Sequence, residues 1–154
     1  MKILAIDLGK YKSVACNYVT ATGTARFATV VTHALELERL LRRESPDLVV
    51  IETCSIAGWV HDLCSQRGVT CQVANPSSEA WKWKNVKRKT DRDDALKLAQ
   101  LAAIEQLPTV HVPAPETRQR RALLKYRQSL ITRRVAIQNH LRARKDGCLG
   151  TRTN

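Results

Sequence analysis

The chain has 154 residues, with 26 Lys and Arg against 14 Asp and Glu, and a formal net charge of +12. Its hydrophobic content of 44% and charged content of 26% suit one globular domain and exclude a wholly disordered chain. No apolar run reaches the roughly 20 residues that cross a bilayer, and Asp7 interrupts the first apolar run before a signal-peptide core can form. We therefore expect a soluble, cytoplasmic protein with no membrane partner.

The first third of the chain reads as three strands and a helix. Runs of β-branched and aliphatic residues predict strands at 2–7, 13–20 and 25–32, and the turn signal at 21–24 joins the second strand to the third. Leucines at near-helical spacing follow, and they predict a helix from about residue 35 that stops at Glu44-Ser45-Pro46.

The middle of the chain alternates strands and helices. Leu48-Val49-Val50-Ile51 is a continuous apolar run, typical of a central strand that is covered on both faces. A helix at 56–67, a strand at 69–74 and a helix at 91–106 complete the predicted order. Three antiparallel strands that lead into alternating helices and strands indicate a ribonuclease-H-like mixed sheet with flanking helices, because a doubly wound nucleotide fold would alternate from its start.

The positive charge lies in the second half of the chain. Residues 1–79 carry 8 basic and 8 acidic side chains, whereas residues 80–154 carry 18 basic and 6 acidic ones. Lys and Arg neutralise phosphates and Trp stacks on bases, so this half predicts a nucleic-acid partner; the alternative is a solvated helical face with the tryptophans packed on the core. The predicted nucleic-acid-binding residues are Lys10, Trp81, Lys82, Trp83, Lys84, Lys87, Arg88 and Lys89.

The last section predicts one long helix. Residues 117–145 contain neither Gly nor Pro, and Leu123, Leu130 and Ile137 follow one another at intervals of seven. A single helix with one apolar stripe cannot bury that stripe on itself, so it needs a partner. We predict a coiled-coil-like helix and a homo-oligomer that forms through residues 117–145.

The five cysteines predict no covalent framework. Their number is odd and none forms a C-x-x-C pair, so neither a disulfide scaffold nor a zinc ribbon is favoured. Cys16, Cys54 and Cys71 lie in or beside strand-like runs, where we expect each reduced thiol to pack as a small hydrophobic group.

Four carboxylates are candidates for one site. Asp7 ends the first strand and Glu52 ends the central strand, and in a ribonuclease-H-like sheet these strands are parallel neighbours. Asp91 and Asp94 share one face at the start of the helix after the basic segment, and Asp91 is also a candidate helix cap. Taken singly, each acid is more simply explained as a turn cap or a solvated helix start.

Together these acids favour a metal site. Carboxylates that meet at one place repel each other unless a cation compensates their charge. Mg²⁺ prefers hard oxygen ligands and keeps waters for substrate phosphates, and two such ions are suited to phosphoryl transfer. The sequence therefore predicts a Mg²⁺ or Mn²⁺ site.

Three motifs carry a family resemblance. Ile6-Asp7-Leu8-Gly9-Lys10, Ile51-Glu52-Thr53 and Lys89-Thr90-Asp91-Arg92-Asp93-Asp94-Ala95 resemble the N-terminal domain of the DEDD-motif insertion-sequence transposases. These recombinases have a Holliday-junction-resolvase-like (RuvC-like) domain, and an RNA encoded by the element guides target choice in some members. The resemblance covers nearly the whole chain.

The resemblance implies a function and a division of the chain. It implies Mg-dependent DNA strand cleavage and transfer, with Asp7, Glu52, Asp91 and Asp94 as both the catalytic and the metal-binding residues and Asp93 outside the set. It implies DNA and a structured guide RNA as partners. The implied division is a RuvC-like catalytic domain at 1–112, a long helix at 113–147 and a tail at 148–154.

The chain also departs from that family. Its members are longer, and their long helix leads into a further domain that supplies a serine which attacks DNA. Nothing follows Asn154 here, so we expect a truncated copy that binds metal and nucleic acid but does not complete recombination.

Three other readings remain open. One is a resolvase-type nuclease that acts on branched DNA, and another is a non-catalytic RNA- or DNA-binding module whose carboxylates are structural. The third is an actin-like ATPase, since Asp7-Leu8-Gly9 resembles its first phosphate loop, although no second glycine-rich phosphate loop is present.

Overall fold

A computed structural model of the chain describes residues 1–75 and 90–149, with side chains described as far as residue 144. In this part of the chain five strands form one sheet, and its strands lie close to their predicted positions. The strands are β1 (Lys2–Asp7), β2 (Lys12–Val19), β3 (Thr24–Val31), β4 (Leu48–Glu52) and β5 (Thr70–Ala74).

The helices follow the predicted order, but their first or last residues differ from the predicted ones. Helix α3 stops before 106 because Glu105 takes a left-handed conformation with φ of 56°, and the Gln106 N–H donates to the Leu101 carbonyl. Helix α4 starts earlier than 117, because Pro115 is tolerated in a first turn, where its missing N–H would have no helical partner. The helices are α1 (Ala34–Glu44), α2 (Ala57–Gln66), α3 (Asp91–Ala103) and α4 (Pro115–Leu149).

The sheet is mixed, and its strand order is β3-β2-β1-β4-β5. The hairpin strands β1, β2 and β3 pair antiparallel, whereas β1 pairs with β4, and β4 with β5, in parallel. The parallel strands are joined through α1 and α2, as parallel strands require a crossover connection. This order confirms the predicted ribonuclease-H-like fold.

Each face of the sheet has its own buried cluster. Leu4 and Ile6 of β1 pack with α1 and α2 on one face, while Ile3 and Ala5 pack with α3 on the other. Successive side chains of a strand point to opposite faces, so a strand buried on both sides reads as a continuous apolar run. The continuous run of β4 has the same cause, because Val49 and its neighbours alternate between the same two clusters.

An extended segment after α3 covers the outer edge of β5. The Val110 N–H donates to the Val73 carbonyl, and the Asn75 N–H donates to the Pro108 carbonyl, both at 2.8 Å. Thr109 forms an isolated antiparallel bridge with Ala74. Pairing of this kind occupies backbone groups that an open sheet edge would leave exposed. The sequence pattern did not predict this segment.

The described cysteines are reduced, but they are not all packed as expected. Cys16 is buried in β2, and burial raises the pKa of its thiol to about 11. Cys71 is half-buried in β5. The prediction for Cys54 is wrong, since this side chain is exposed in the loop between Glu52 and Ala57, where the strand has already ended.

The second compact unit begins at Pro113, and α4 is its described element. Apolar side chains along α4 are exposed instead of covered. They include Leu123, Leu124, Leu130, Val135, Ile137 and Leu141. Within the described residues, none of the helices is both long enough and apolar enough to span a bilayer.

Candidate active site

Two of the four predicted acids lie side by side at one edge of the sheet. Ile6 of β1 pairs with Ile51 of β4, so the next residues along these parallel strands are Asp7 and Glu52. Neighbouring strands are about 4.8 Å apart. By strand alternation both acids belong to the face of the sheet that α3 covers, and both are half-buried. The prediction that the two strands are parallel neighbours is confirmed.

The turn after Asp7 depends on a glycine. A Cβ atom added to Gly9 would lie 2.2 Å from the Lys12 carbonyl oxygen, so the chain passes too close for any side chain. The Thr32 hydroxyl donates to the Gly9 carbonyl at 2.8 Å, and it shares a 2.7 Å hydrogen bond with the hydroxyl of the fully buried Ser13. These contacts fix the turn that follows Asp7.

The chain beyond Glu52 is also tied to the sheet. The Thr53 N–H and hydroxyl both donate to the Ala74 carbonyl of β5, at 3.0 and 2.7 Å. Glu52 itself pairs with Ala74 in the sheet register. The backbone on both sides of the Glu52 carboxylate is therefore held by β5.

The N-terminus of α3 is capped by Thr90 and Asp93. The Asp93 carboxylate accepts from the Thr90 hydroxyl at 2.6 Å and from the Thr90 N–H at 3.0 Å, while the Asp93 N–H donates to the Thr90 hydroxyl. The hydroxyl bond and then the backbone bond lower the pKa of Asp93. The sequence suggested Asp91 as a candidate cap, and this is wrong. Thr90 occupies the N-cap position and completes a capping box with Asp93.

The other two predicted acids begin the sheet-facing side of α3. Asp91 precedes the buried Ala95 by four residues, and Asp94 precedes the buried Leu98 by four. Residues four apart lie on the same side of a helix, so both acids extend the stripe that packs on the sheet. Asp91 is exposed and Asp94 is half-buried.

The four acids do not form a closed metal cluster. Within residues 1–75 and 90–144, no group of three or more His, Cys, Asp or Glu side chains lies close enough to hold a metal ion. Asp7 and Glu52 are brought together by strand register, and Asp91 and Asp94 share one side of a helix on the same sheet face. All four donors are hard carboxylate oxygens, which is the chemistry that Mg²⁺ and Mn²⁺ prefer.

Only one predicted nucleic-acid-binding residue falls in the described part of the chain. Lys10 is exposed, and its ammonium lies 5.0 Å from the centre of the Tyr11 ring. The other seven residues of that prediction, Trp81, Lys82, Trp83, Lys84, Lys87, Arg88 and Lys89, lie outside the described residues.

Several residues around the acids were missed from the sequence. Thr90 and Asp93 carry a readable signal, since Thr followed three residues later by an acid is a capping-box pattern. Tyr11 and the pair formed by Arg92 and Phe27, with the guanidinium 5.7 Å from the ring centre, carry none. Their positions depend on how the strands and α3 pack.

Solved structures share this fold. Thermus thermophilus RuvC in complex with a Holliday junction substrate has a TM-score of 0.50 and 15% identity, covering 71% of this chain and 99% of that one. The fowlpox virus Holliday junction resolvase also has a TM-score of 0.50 and 15% identity, covering 70% of this chain and 100% of that one. At this identity the likeness concerns the fold.

The family is identified by the sequence itself. The chain has no match among curated proteins. The sequence model of the transposase family DEDD_Tnp_IS110 matches residues 4–147, which include all three acid-bearing motifs and most of α4. With its RuvC-like sheet and its acids at the ends of β1 and β4, the chain belongs to the IS110 family of DEDD transposases.

Proposed function

We propose that this chain performs Mg²⁺- or Mn²⁺-dependent DNA strand cleavage and transfer in the transposition of an insertion sequence. Asp7, Glu52, Asp91 and Asp94 are the proposed metal-binding and catalytic carboxylates. The observation that carries the proposal is the register of β1 and β4, which puts Asp7 beside Glu52 on the face covered by α3. Asp91 and Asp94 approach that face from the helix.

A bound cation would stabilise the adjacent carboxylates. Two carboxylates on neighbouring strand ends disfavour each other's ionised form unless a positive charge compensates them. Asp7 and Glu52 are held by the sheet, so they offer oxygen ligands in a fixed arrangement. A bound Mg²⁺ or Mn²⁺ would supply electrostatic stabilisation of the phosphoryl group that is transferred. We expect metal binding to draw Asp94 and Asp91 toward the pair.

Thermal unfolding with and without Mn²⁺ or Mg²⁺ tests the site. Wild type should gain stability with metal, because an ion that binds only the folded state stabilises it by mass action. Asp7→Asn, Glu52→Gln, Asp91→Asn and Asp94→Asn should each lose most of that gain. Without metal, Asp7→Asn and Glu52→Gln should unfold at the same temperature as wild type or higher, since the charge repulsion is relieved.

Two other acids serve as matched controls. Asp47→Asn alters an acid just before β4, at the opposite end of the sheet, where its carboxylate accepts from the Lys2 N–H at 2.7 Å. Asp93→Asn alters an acid committed to the α3 cap, so it should lower stability equally with and without metal. An equal metal gain in all six variants would overturn the assignment of the four carboxylates.

We infer DNA and a structured guide RNA as the partners of the basic half, and a cytoplasmic location for the protein. The net charge of +12, all in residues 80–154, supports a polyanionic partner. Replacing Lys82, Lys84, Lys87, Arg88 and Lys89 together by Ala should flatten the salt dependence of DNA binding. Replacing Arg39 and Arg42, which pair with Glu36 and Glu38 at 2.6 Å, should leave the slope unchanged.

We also infer self-association through α4. Apolar side chains at intervals of seven lie exposed along this helix, among them Leu123, Leu130 and Ile137. Such a stripe is buried when two helices pair as a coiled coil. Light scattering at tens of micromolar should give a mass above that of one chain, and a monomeric mass would contradict the inference.

Junction cleavage is the second candidate function. It is favoured by the fold shared with RuvC, solved in complex with a Holliday junction substrate, and with the fowlpox virus Holliday junction resolvase. Metal-dependent nicking of a four-way DNA junction, lost in Asp7→Asn, would favour it over strand transfer. Binding that is indifferent to metal and to all four acids would favour the non-catalytic module.

A further inference from the structure

The chain uses few aromatic side chains, and it leaves one of them exposed in the turn that follows Asp7. It has 3 Trp, 3 Tyr and 1 Phe in all. Among the described residues, Trp59 packs against one core cluster and Tyr18 against the other. Both clusters otherwise consist of aliphatic side chains and cysteines. Tyr11 does not contribute to either cluster, and 72% of its surface is exposed. Burial therefore does not explain this aromatic ring.

The backbone that carries Tyr11 is rigid. Its carbonyl accepts from the Thr32 N–H at 2.9 Å, which continues the pairing of β2 with β3 by one residue. The same Thr32 holds Gly9 through its hydroxyl, and Gly9 has no room for a Cβ atom. A single exposed aromatic residue on a mobile loop needs no explanation, whereas the backbone of Tyr11 is held in place before any ligand arrives.

Tyr11 is also close to the acid end of β1. It follows Asp7 by four positions, and four residues span at most about 14 Å even when fully extended. The bases of one DNA strand rise by about 3.4 Å each. A base at Tyr11 would therefore lie within a few nucleotides of a phosphate held near Asp7.

The Lys10 ammonium lies 5.0 Å from the ring centre, so a phosphate-binding charge and an aromatic surface occupy adjacent positions. Proteins that bind unpaired strands combine these two features, with cations along the backbone and rings against the bases. The adjacent lysine distinguishes Tyr11 from an ordinary exposed tyrosine.

We propose that Tyr11 stacks on an unpaired base of the DNA substrate while Lys10 neutralises a neighbouring phosphate. The inference rests on the proposed function, because it takes the acid-bearing edge of the sheet as the place where DNA is held. Tyr11 positions the strand and takes no part in the chemistry. Stacking tolerates any base, so the contact would order the strand near the acids without reading its sequence.

The test measures how much of the binding depends on bases. The full chain is titrated, without metal, against a short thymidine oligonucleotide and against a strand of the same length with abasic sites throughout. The ratio of the two dissociation constants reports base stacking. Tyr11→Leu should reduce this ratio about tenfold, the size expected for one stacked base. Tyr11→Phe keeps the ring and should keep the ratio.

Two controls separate stacking from charge and from general surface effects. Lys10→Met should lower the salt slope by about 0.7, the loss of one phosphate contact on a single strand, and leave the ratio unchanged. Tyr126→Leu removes another exposed tyrosine, which lies on α4, and should change neither quantity.

The outcomes distinguish this inference from the proposed function. If Tyr11→Leu keeps the wild-type ratio while wild type binds DNA, the stacking role is wrong and the proposed function stands. If Tyr11→Phe falls together with Tyr11→Leu, the hydroxyl and not the ring makes the contact, which also overturns the inference. If wild type binds neither strand, the DNA-binding part of the proposed function fails as well.

Discussion

The sheet unit and α4 use apolar residues in opposite ways. Residues 1–112 bury aliphatic side chains on both faces of the sheet, under α1 and α2 on one side and under α3 on the other. Helix α4 carries a similar share of leucine and valine, yet these side chains are exposed. Regular apolar spacing thus predicts an element and its contact face. It does not predict whether the chain itself covers that face.

The largest difference should appear on removing a core leucine. Leu98 of α3 is fully buried against the sheet, and Leu98→Ala should lower the free energy of unfolding by about 2–5 kcal/mol, because it removes buried methyl groups and leaves a cavity. Denaturant unfolding followed by circular dichroism measures this loss. A loss below about 1 kcal/mol would mean that α3 is not held to the sheet by this cluster.

A change in the turn beside Asp7 should have the next largest effect. The added methyl group of Gly9→Ala would meet the Lys12 carbonyl oxygen at 2.2 Å, so the turn must shift, at a cost of roughly 1–3 kcal/mol. Gly68→Ala is the control for backbone conformation, since Gly68 has φ of 68° but nothing within 4 Å of an added Cβ atom. Gly9→Ala should also reduce the metal gain more than Gly68→Ala does. Equal effects of the two substitutions on that gain would show that the site does not depend on this turn.

The cap of α3 should contribute less, and its contribution should depend on pH. Thr90→Ala removes the N-cap hydroxyl and should cost about 1 kcal/mol at neutral pH. The pKa of Asp93 is lowered in the folded state, so its stabilising effect is fully present above its ordinary value of 3.8 and is lost as the pH falls through the lowered pKa. The stability difference between wild type and Thr90→Ala should therefore shrink in acid below about pH 4. A difference that grows in acid would contradict the capping box.

The smallest effect on the sheet unit should come from α4. Leu130 is 46% exposed, and because Ala is a better helix former than Leu, Leu130→Ala should change the unfolding of an unpartnered chain by less than about 0.5 kcal/mol. If α4 pairs with a second copy, the same change should shift the mass toward one chain in light scattering. If neither the unfolding free energy nor the mass changes, pairing of α4 does not explain the apolar stripe.

The sequence predicted the sheet because its strands are read locally. The apolar runs of β1 and β4 mark strands buried on both faces, and the order of elements leaves few topologies. The same reasoning placed Asp7 beside Glu52, since strand ends and parallel pairing are enough to do so. These features need no knowledge of side-chain packing.

The missed features depend on long-range contacts. The segment that covers β5 is short and contains Pro108, and it pairs because α3 delivers it to that edge. Cys54 looks buried in the sequence because it stands near an apolar run, but the strand ends two residues earlier, at Glu52. Whether Asp91 and Asp94 meet the strand acids depends on the packing of α3 on the sheet, which local patterns do not specify.

The register of β1 makes the site sensitive to a deletion in this strand. Ile3, Leu4, Ala5 and Ile6 are all buried, so loss of one residue from this strand would still leave apolar side chains facing both helix layers. The strand could re-form one step along and the protein could fold. Yet such a slip turns every side chain to the other face, which would move the Asp7 carboxylate to the side of α1 and α2, away from α3. A single-codon deletion in β1 is therefore expected to remove the first acid from the site even where the strand re-forms.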